Sequence, residues 1–369
     1  MVLSAYEHCR TALAVTVPDT VPVAGGGCPH AAAGLRRRLR DALTPRTLAA
    51  LVPYLRDRVD DRFDSVAARG RLDAVSDLAH PVPMAALTHL LGLPAADGPW
   101  LHRRALALAP GFPLPLPTPG PHPSSAAAGS YLPPAAALGV RRPLRRGALT
   151  PHQAARDLDA YLTTHLCPSG ALFTGTGTQP PPPAEAAATA RFLLTSAYLN
   201  TAALVAAGVL ALLRAPHETQ ALRHDPSHAP YVVEETLRHD PPPQILTRRA
   251  TTDLDLDGLR IPRGTLLLLL LAAAHRDPAA ISSPDLFAAD GISPHLAFGT
   301  ASHTCPGASL ARLIAETVLV RFAQRIHGPR LALGTPSYHP TPYLRALRAL
   351  WVGMDGVASR EVPWHQNTT

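Results

Sequence analysis

The segment Phe298-Gly299-Thr300-Ala301-Ser302-His303-Thr304-Cys305-Pro306-Gly307 decides the reading of this chain. It sets one cysteine just before the expected N-terminus of a helix, inside a loop of small residues. Free N–H groups and the dipole at a helix start stabilise a thiolate. Small residues let a flat cofactor approach the backbone closely. A lone cysteine is more often an inert buried thiol, and only its surroundings argue for more. The helix that begins after Gly307 is expected to run to Ile326, with Gly328 as its C-cap.

Around this loop the bulk composition is that of a large, helix-rich fold. The chain has 369 residues, 46% hydrophobic and 17% charged, which supports a sizeable core and excludes wholesale disorder. With 41 prolines and only 5% aromatics, helices joined by proline-punctuated connections are expected. Cys9, Cys28, Cys167 and Cys305 show no paired spacing, which argues against a secreted disulfide scaffold. The start of the chain has no basic segment followed by an apolar run, so a cytoplasmic protein is expected. The net charge of +7 suggests an acidic partner, and Arg36, Arg37, Arg38, Arg40 and Arg46 concentrate part of it. Aromatics are not interleaved with these residues, so nucleic acid is a poor fit.

Thr44 and Pro45 mark the N-cap and first position of a helix through Leu51, Val52, Leu55 and Val59 to about Gly70. A second helical stretch covers Leu78 to Leu91. The Pro-rich segments 110–134 and 178–184 read as loops. Between Arg191 and Arg214 lie 22 uncharged residues, enough to span a bilayer and equally the mark of a fully buried central helix. Beyond Pro216 a helix carries Val232, Val233, Glu235 and Arg238, and Pro241 ends it. Short strands follow at Asp253–Gly258 and Leu266–Leu271.

The cysteine loop resembles the haem-binding signature of the cytochrome P450 family, Phe-Gly-x-Gly-x-His-x-Cys-x-Gly followed by Leu-Ala-Arg. Phe298, Gly299, His303, Cys305, Gly307, Leu310, Ala311 and Arg312 match, and Ala301 replaces the second glycine. Glu235-Thr236-Leu237-Arg238 is similar to the family's Glu-x-x-Arg helix, whose two charges lie one turn apart on one face. Arg248 falls where the family places an arginine on a haem propionate, and Arg36, eight residues before Thr44, falls on another. Ile261-Pro262-Arg263-Gly264-Thr265 and His275-Arg276-Asp277-Pro278 match the strand and turn between these motifs, so the likeness runs from Val2 to Val352.

The resemblance implies a mainly α, single-domain fold over residues 1–369 with small β-sheets. Haem b would lie between the central helix and the cysteine loop. Cys305 becomes the axial thiolate, which donates electron density and favours O–O cleavage. Arg36, Arg248 and His303 hold propionates, Phe298 and Gly307 belong to the cofactor loop, and Glu235 with Arg238 form a structural ion pair. It further implies a small-molecule substrate, electrons from a ferredoxin and its reductase, and no membrane. The basic run from Arg36 to Arg40 offers an acidic ferredoxin a docking face.

The distal side departs from the family pattern of a small pair, one intervening residue, an acid and a threonine. Aligned on the central helix, Ser196 and Ala197 take the small pair, Tyr198 intervenes, Leu199 takes the acid position and Asn200 the threonine position. Leu199 carries no proton and Asn200 does not titrate. Thr201 lies about 100° further round the helix. Gly291 stands where the family offers a third charge beside Glu235 and Arg238, Ala32 replaces a histidine, and Val2–Glu7 matches a segment that a helix and strands usually precede. Three readings stand: a monooxygenase of natural-product biosynthesis, a haem enzyme using peroxide, radical coupling or redox-neutral cyclisation, and an inactive haem-binding module.

Overall fold

Proline sets many of the helix starts in this chain. Pro29, Pro45, Pro81, Pro151, Pro183 and Pro216 each occupy the first helical residue, where a missing N–H is no loss. The computed structural model describes residues 1–18, 29–108, 149–166, 171–174, 181–291, 294–332 and 334–361. Its first helices are α1 (Tyr6–Val15), α2 (Pro29–Ala42), α3 (Pro45–Val66), α4 (Pro81–Leu91) and α5 (Gly98–Leu108). Next come α6 (Pro151–His165), α7 (Ala171–Thr174), α8 (Pro183–Phe192), α9 (Tyr198–Arg214) and α10 (Pro216–His224). The last are α11 (Ala229–His239), α12 (Leu271–Ala274) and α13 (Ala308–Arg325). The fold is mainly α with small sheets, as expected.

Pro183 corrects one expectation. Residues 181–182 are irregular, but Pro182 is the N-cap of α8, so the run Pro180–Pro183 leads into a helix and is not loop throughout. The Pro-rich segment 110–134 and residues 178–180 lie outside the described residues.

In α3 the Thr44 side chain accepts the Thr47 N–H at 3.2 Å, and Leu51, Leu55, Val59 and Phe63 recur every fourth residue on the buried face. That face packs on α13, whose buried Arg321 and Arg325 reach Asp60 at 2.8 and 3.0 Å. Two charges removed from water this far are retained only when paired. The α13 helix ends at Arg325, where Ile326 turns extended; Gly328 (φ +54°) makes the turn after the short strand Ile326–His327 and does not cap the helix.

The apolar stretch beyond Arg191 is a buried core helix. Together α8, a π-helical turn at Leu193–Ala197 and α9 form one 32-residue helix with 72% of its most apolar window buried. It is apolar on every side because α4, α10, α11 and α13 all pack on α9. At Gly208 an added Cβ would stand 2.8 Å from Leu319 of α13, so glycine lets the two helices approach.

A second, smaller core lies under α1 and the sheet. The first seven strands in chain order are β1 (Val2–Leu3), β2 (Val17–Pro18), β3 (Arg71–Asp73), β4 (Ile245–Arg249), β5 (Leu254–Leu256), β6 (Leu259–Ile261) and β7 (Leu266–Leu270). The main sheet has the order β1-β7-β4-β2, with β4 and β7 antiparallel and Arg248 opposite Leu267. Side chains alternate across a strand, so Arg248 turns inward where Arg249 is exposed.

Candidate active site

The cysteine loop is closed by its own backbone. Cys305 donates its N–H to the Phe298 carbonyl at 2.7 Å, and its carbonyl receives the Ala308 N–H of α13 at 3.3 Å. At Gly299 (φ +73°) a Cβ would meet the His303 carbonyl oxygen at 3.0 Å, so the position demands glycine. Ala301 holds φ +50°, a left-handed conformation that costs an L-residue about 1 kcal/mol or more. Burial pushes the Cys305 thiol above its usual range, while the Gly307 N–H and the Arg36 and Arg312 charges pull the other way. A coordinating metal deprotonates such a thiol outright. Cys9 is a structural thiol, donating to the Leu3 carbonyl at 3.4 Å and raised by burial to about 12. Cys28 and Cys167 lie outside the described residues.

Beside the loop three basic groups face one another. Arg36 of α2 donates to the Thr304 carbonyl at 2.9 Å. Arg248 of β4 is buried, and among the described residues its Nε has no hydrogen-bond partner and its Nη1 donates to the adjacent Thr247 carbonyl. Burial and the neighbouring Arg36 hold the Arg248 pKa down at about 10. Burial lowers His303, and Arg36 and Arg248 add to it. Among the described residues no carboxylate pairs with any of the three. Two converging guanidiniums and an imidazole without an acid suit a group that brings its own carboxylates. Among the described residues no group of three or more His, Cys, Asp or Glu side chains is placed to hold a metal ion. A metal bound here through Cys305 therefore needs its other ligands from a cofactor. An iron porphyrin with two propionates meets both demands. Along the expected docking run, Arg37 and Arg40 are exposed, but Arg38 is ion-paired with Glu185 of α8.

On the central helix the sequence-derived residues divide. Ser196, Ala197 and Asn200 are half-exposed, and Asn200 Nδ2 donates to the Ser196 carbonyl at 2.8 Å, where the π-helical turn passes into α9. Such turns often accompany functional sites. Leu199 is buried in the main core and Thr201 is buried too. Tyr198 faces away from open space, unlike its expected place beside the pocket. It is wholly buried, and its hydroxyl lies 2.8 Å from His80 Nδ1, just before α4, and 2.5 Å from His102 Nδ1 of α5. Two residues along a helix is about 200° of rotation, which separates Tyr198 from Ser196 and Asn200.

Glu235 and Arg238 meet through two 2.7 Å hydrogen bonds and are both buried. In place of a third charge the backbone completes the pair. Arg238 donates to the carbonyls of His275, Pro284 and Leu286, and Glu235 receives the Ala288 N–H at 3.0 Å. His275, which sequence reasoning treated only as part of a turn, links this pair to the cysteine loop. Its Nδ1–H donates to the Arg238 carbonyl at 3.1 Å and its Nε2 receives the Leu296 N–H at 2.7 Å. Burial holds it neutral, at about 3. The motif His275-Arg276-Asp277-Pro278 was the available signal, but its partners are distant in sequence.

The family model "Cytochrome P450" matches residues 227–326. The biotin biosynthesis cytochrome P450 of Bacillus subtilis (strain 168) is 30% identical over 319 residues, covering 85% of this chain and 76% of that protein. Cytochrome P450 monooxygenase PikC of Streptomyces venezuelae is 32% identical over 325 residues, covering 86% and 72%. The solved structure of P450BioI, in complex with an acyl carrier protein ligated to hexadec-9Z-enoic acid, superposes with a TM-score of 0.79 at 26% identity. It covers 96% of this chain and 92% of that one. A closed cysteine loop, acid-free basic groups beside it and these relatives agree: the chain belongs to the cytochrome P450 family, with haem b as its cofactor.

Proposed function

We propose that the chain is a cytoplasmic monooxygenase of one domain that oxidises a small-molecule intermediate of natural-product biosynthesis. The observation that carries this is Cys305, set in a closed loop beside three basic groups with no acidic partner among the described residues. Cys305 would ligate the iron, Arg36, Arg248 and His303 would hold the propionates, and Phe298 and Gly307 shape the loop. Glu235 and Arg238 hold the frame. When bound, haem supplies a redox-active iron that activates oxygen, helped by thiolate electron donation. Ser196 and Ala197 line the substrate side with small surfaces. Asn200, its Nδ2 committed to Ser196, keeps Oδ1 to orient a water or a substrate hydroxyl. Arg37 and Arg40 receive an acidic ferredoxin.

A second reading has its own support. Leu199 packs into the core and Asn200 is tied to its own helix, so this turn holds no proton donor of the usual kind. The enzyme would then keep its haem but use peroxide, radical coupling or a redox-neutral cyclisation. Proton transfer by a placed side chain typically contributes about 10²–10⁴-fold to a step that needs it.

The test supplies candidate substrates, including acyl chains on a carrier protein, under three conditions: ferredoxin, its reductase and NADPH in air; hydrogen peroxide alone; and neither. Oxygenated product only under the first supports the monooxygenase. Product under either of the others supports the second reading. In that case Leu199→Glu with Asn200→Thr should raise reductant-driven oxygen consumption and leave the native reaction no faster.

A further inference from the structure

Behind the cysteine loop stands a charge cluster that the proposed mechanism does not use; of its members only Arg312 belongs to the family signature. Arg312, in the second turn of α13, lies with its guanidinium 4.6 Å from the ring centroid of Phe298. Phe298 is the residue whose carbonyl receives the Cys305 N–H. On its other side Arg312 grips Glu234 of α11 with two hydrogen bonds, 2.6 and 2.8 Å. His295 Nε2 approaches the same carboxylate at 3.1 Å, and the Ala297 N–H donates to His295 Nδ1 at 3.3 Å. The cation is thus fixed in place by a ring, an acid and the loop itself.

We propose that Arg312 and Glu234 set the reduction potential of the haem, Arg312 as the positive charge nearer Cys305 and Glu234 as its counterweight. The inference rests on the reading that Cys305 ligates iron. Reduction adds one negative charge to the iron–thiolate unit, so a fixed cation nearby favours the reduced form and a fixed anion opposes it. Stacked on Phe298, whose carbonyl receives the Cys305 N–H, Arg312 is set where its charge favours a thiolate at Cys305. Glu234 is held as a carboxylate at about 2: against burial, its hydrogen bonds and charge contacts with Arg312 and His295 prevail. Glu316, one turn beyond Arg312, is raised by burial and by Glu234, so it is the weaker counter-charge. These are positioning residues: they act through Cys305.

Spectroelectrochemical titration of the full, haem-loaded chain tests this. Arg312→Gln should move the midpoint potential negative, and Glu234→Gln should move it positive. The double variant should fall between the two single variants, because the opposed charges leave together. A purely structural role predicts shifts of one sign, so same-sign shifts, or none, overturn the proposal. Should Arg312→Gln fail to retain haem, Glu234→Gln still decides by its sign, and Arg312→Lys should hold the wild-type potential. The ferrous–CO spectrum of each variant keeps the two readings apart: an intact thiolate band with no potential shift sinks this inference and leaves Cys305 as ligand.

Discussion

Ala301 occupies a position where the family's loop carries glycine, and its backbone at φ +50° explains that glycine. The left-handed strain exceeds the extra chain entropy that glycine carries when unfolded, so Ala301→Gly should stabilise the protein by roughly 0.5–1 kcal/mol. A rise in denaturation midpoint would show it, and a fall would mean the loop has adapted to alanine. Cys305→Ser should abolish the red-shifted Soret band of the ferrous–CO complex; full haem loading without that band in the wild type would refute the ligand assignment. At this scale the sequence was informative because the motif is local: Phe298 and Cys305 are seven residues apart and bond directly. What it hid was conformation, since no residue type announces that Ala301 is strained. The pairing of Arg312 with Glu234 was hidden too, lying 78 positions apart.

The central helix shows where reading an element from sequence works and where it stops. The 22 uncharged residues marked a helix here, but it starts earlier, at Pro183, and its burial was one of two readings they allowed. Its partners were not legible, because an evenly apolar helix gives no phase from which to tell its faces apart. Hence Tyr198 was placed beside the pocket, whereas it binds His80 and His102 on the opposite side. Gly208 gives a test of the packing. Alanine gains about 1 kcal/mol of helix propensity but forces atoms against Leu319, an overpacking cost of typically 1–3 kcal/mol. Gly208→Ala should therefore destabilise by about 1 kcal/mol, and combined with Leu319→Ala it should cost less than the sum of the two single losses. Additive losses in denaturant titrations would place the tightness elsewhere.

Across the whole molecule, buried histidines tie stability to pH. Burial lowers His80 to about 4, helped by His102 and His339, and lowers His275 to about 3. The unfolded chain protonates such groups near 6.5 and the folded one resists. Their stabilisation is complete above about 6.5 and falls with pH toward about 4 for His80 and about 3 for His275, each at up to about 1.4 kcal/mol per unit. Urea midpoints measured from pH 7.5 to 5 should drop, and His275→Asn should flatten the slope; a constant midpoint would contradict burial of the neutral rings. The triad around Tyr198 carries this logic further. A phenol has one proton, so only one imidazole can accept it, and the other must donate its own Nδ1–H to the same oxygen. His80 and His102 are thereby locked into opposite tautomers, one protonated at Nε2 and the other at Nδ1. Exchanging their roles requires the protons to move in concert. Nitrogen-15 spectra of histidine-labelled protein should resolve two neutral rings of unlike tautomer, which Tyr198→Phe would release to choose independently.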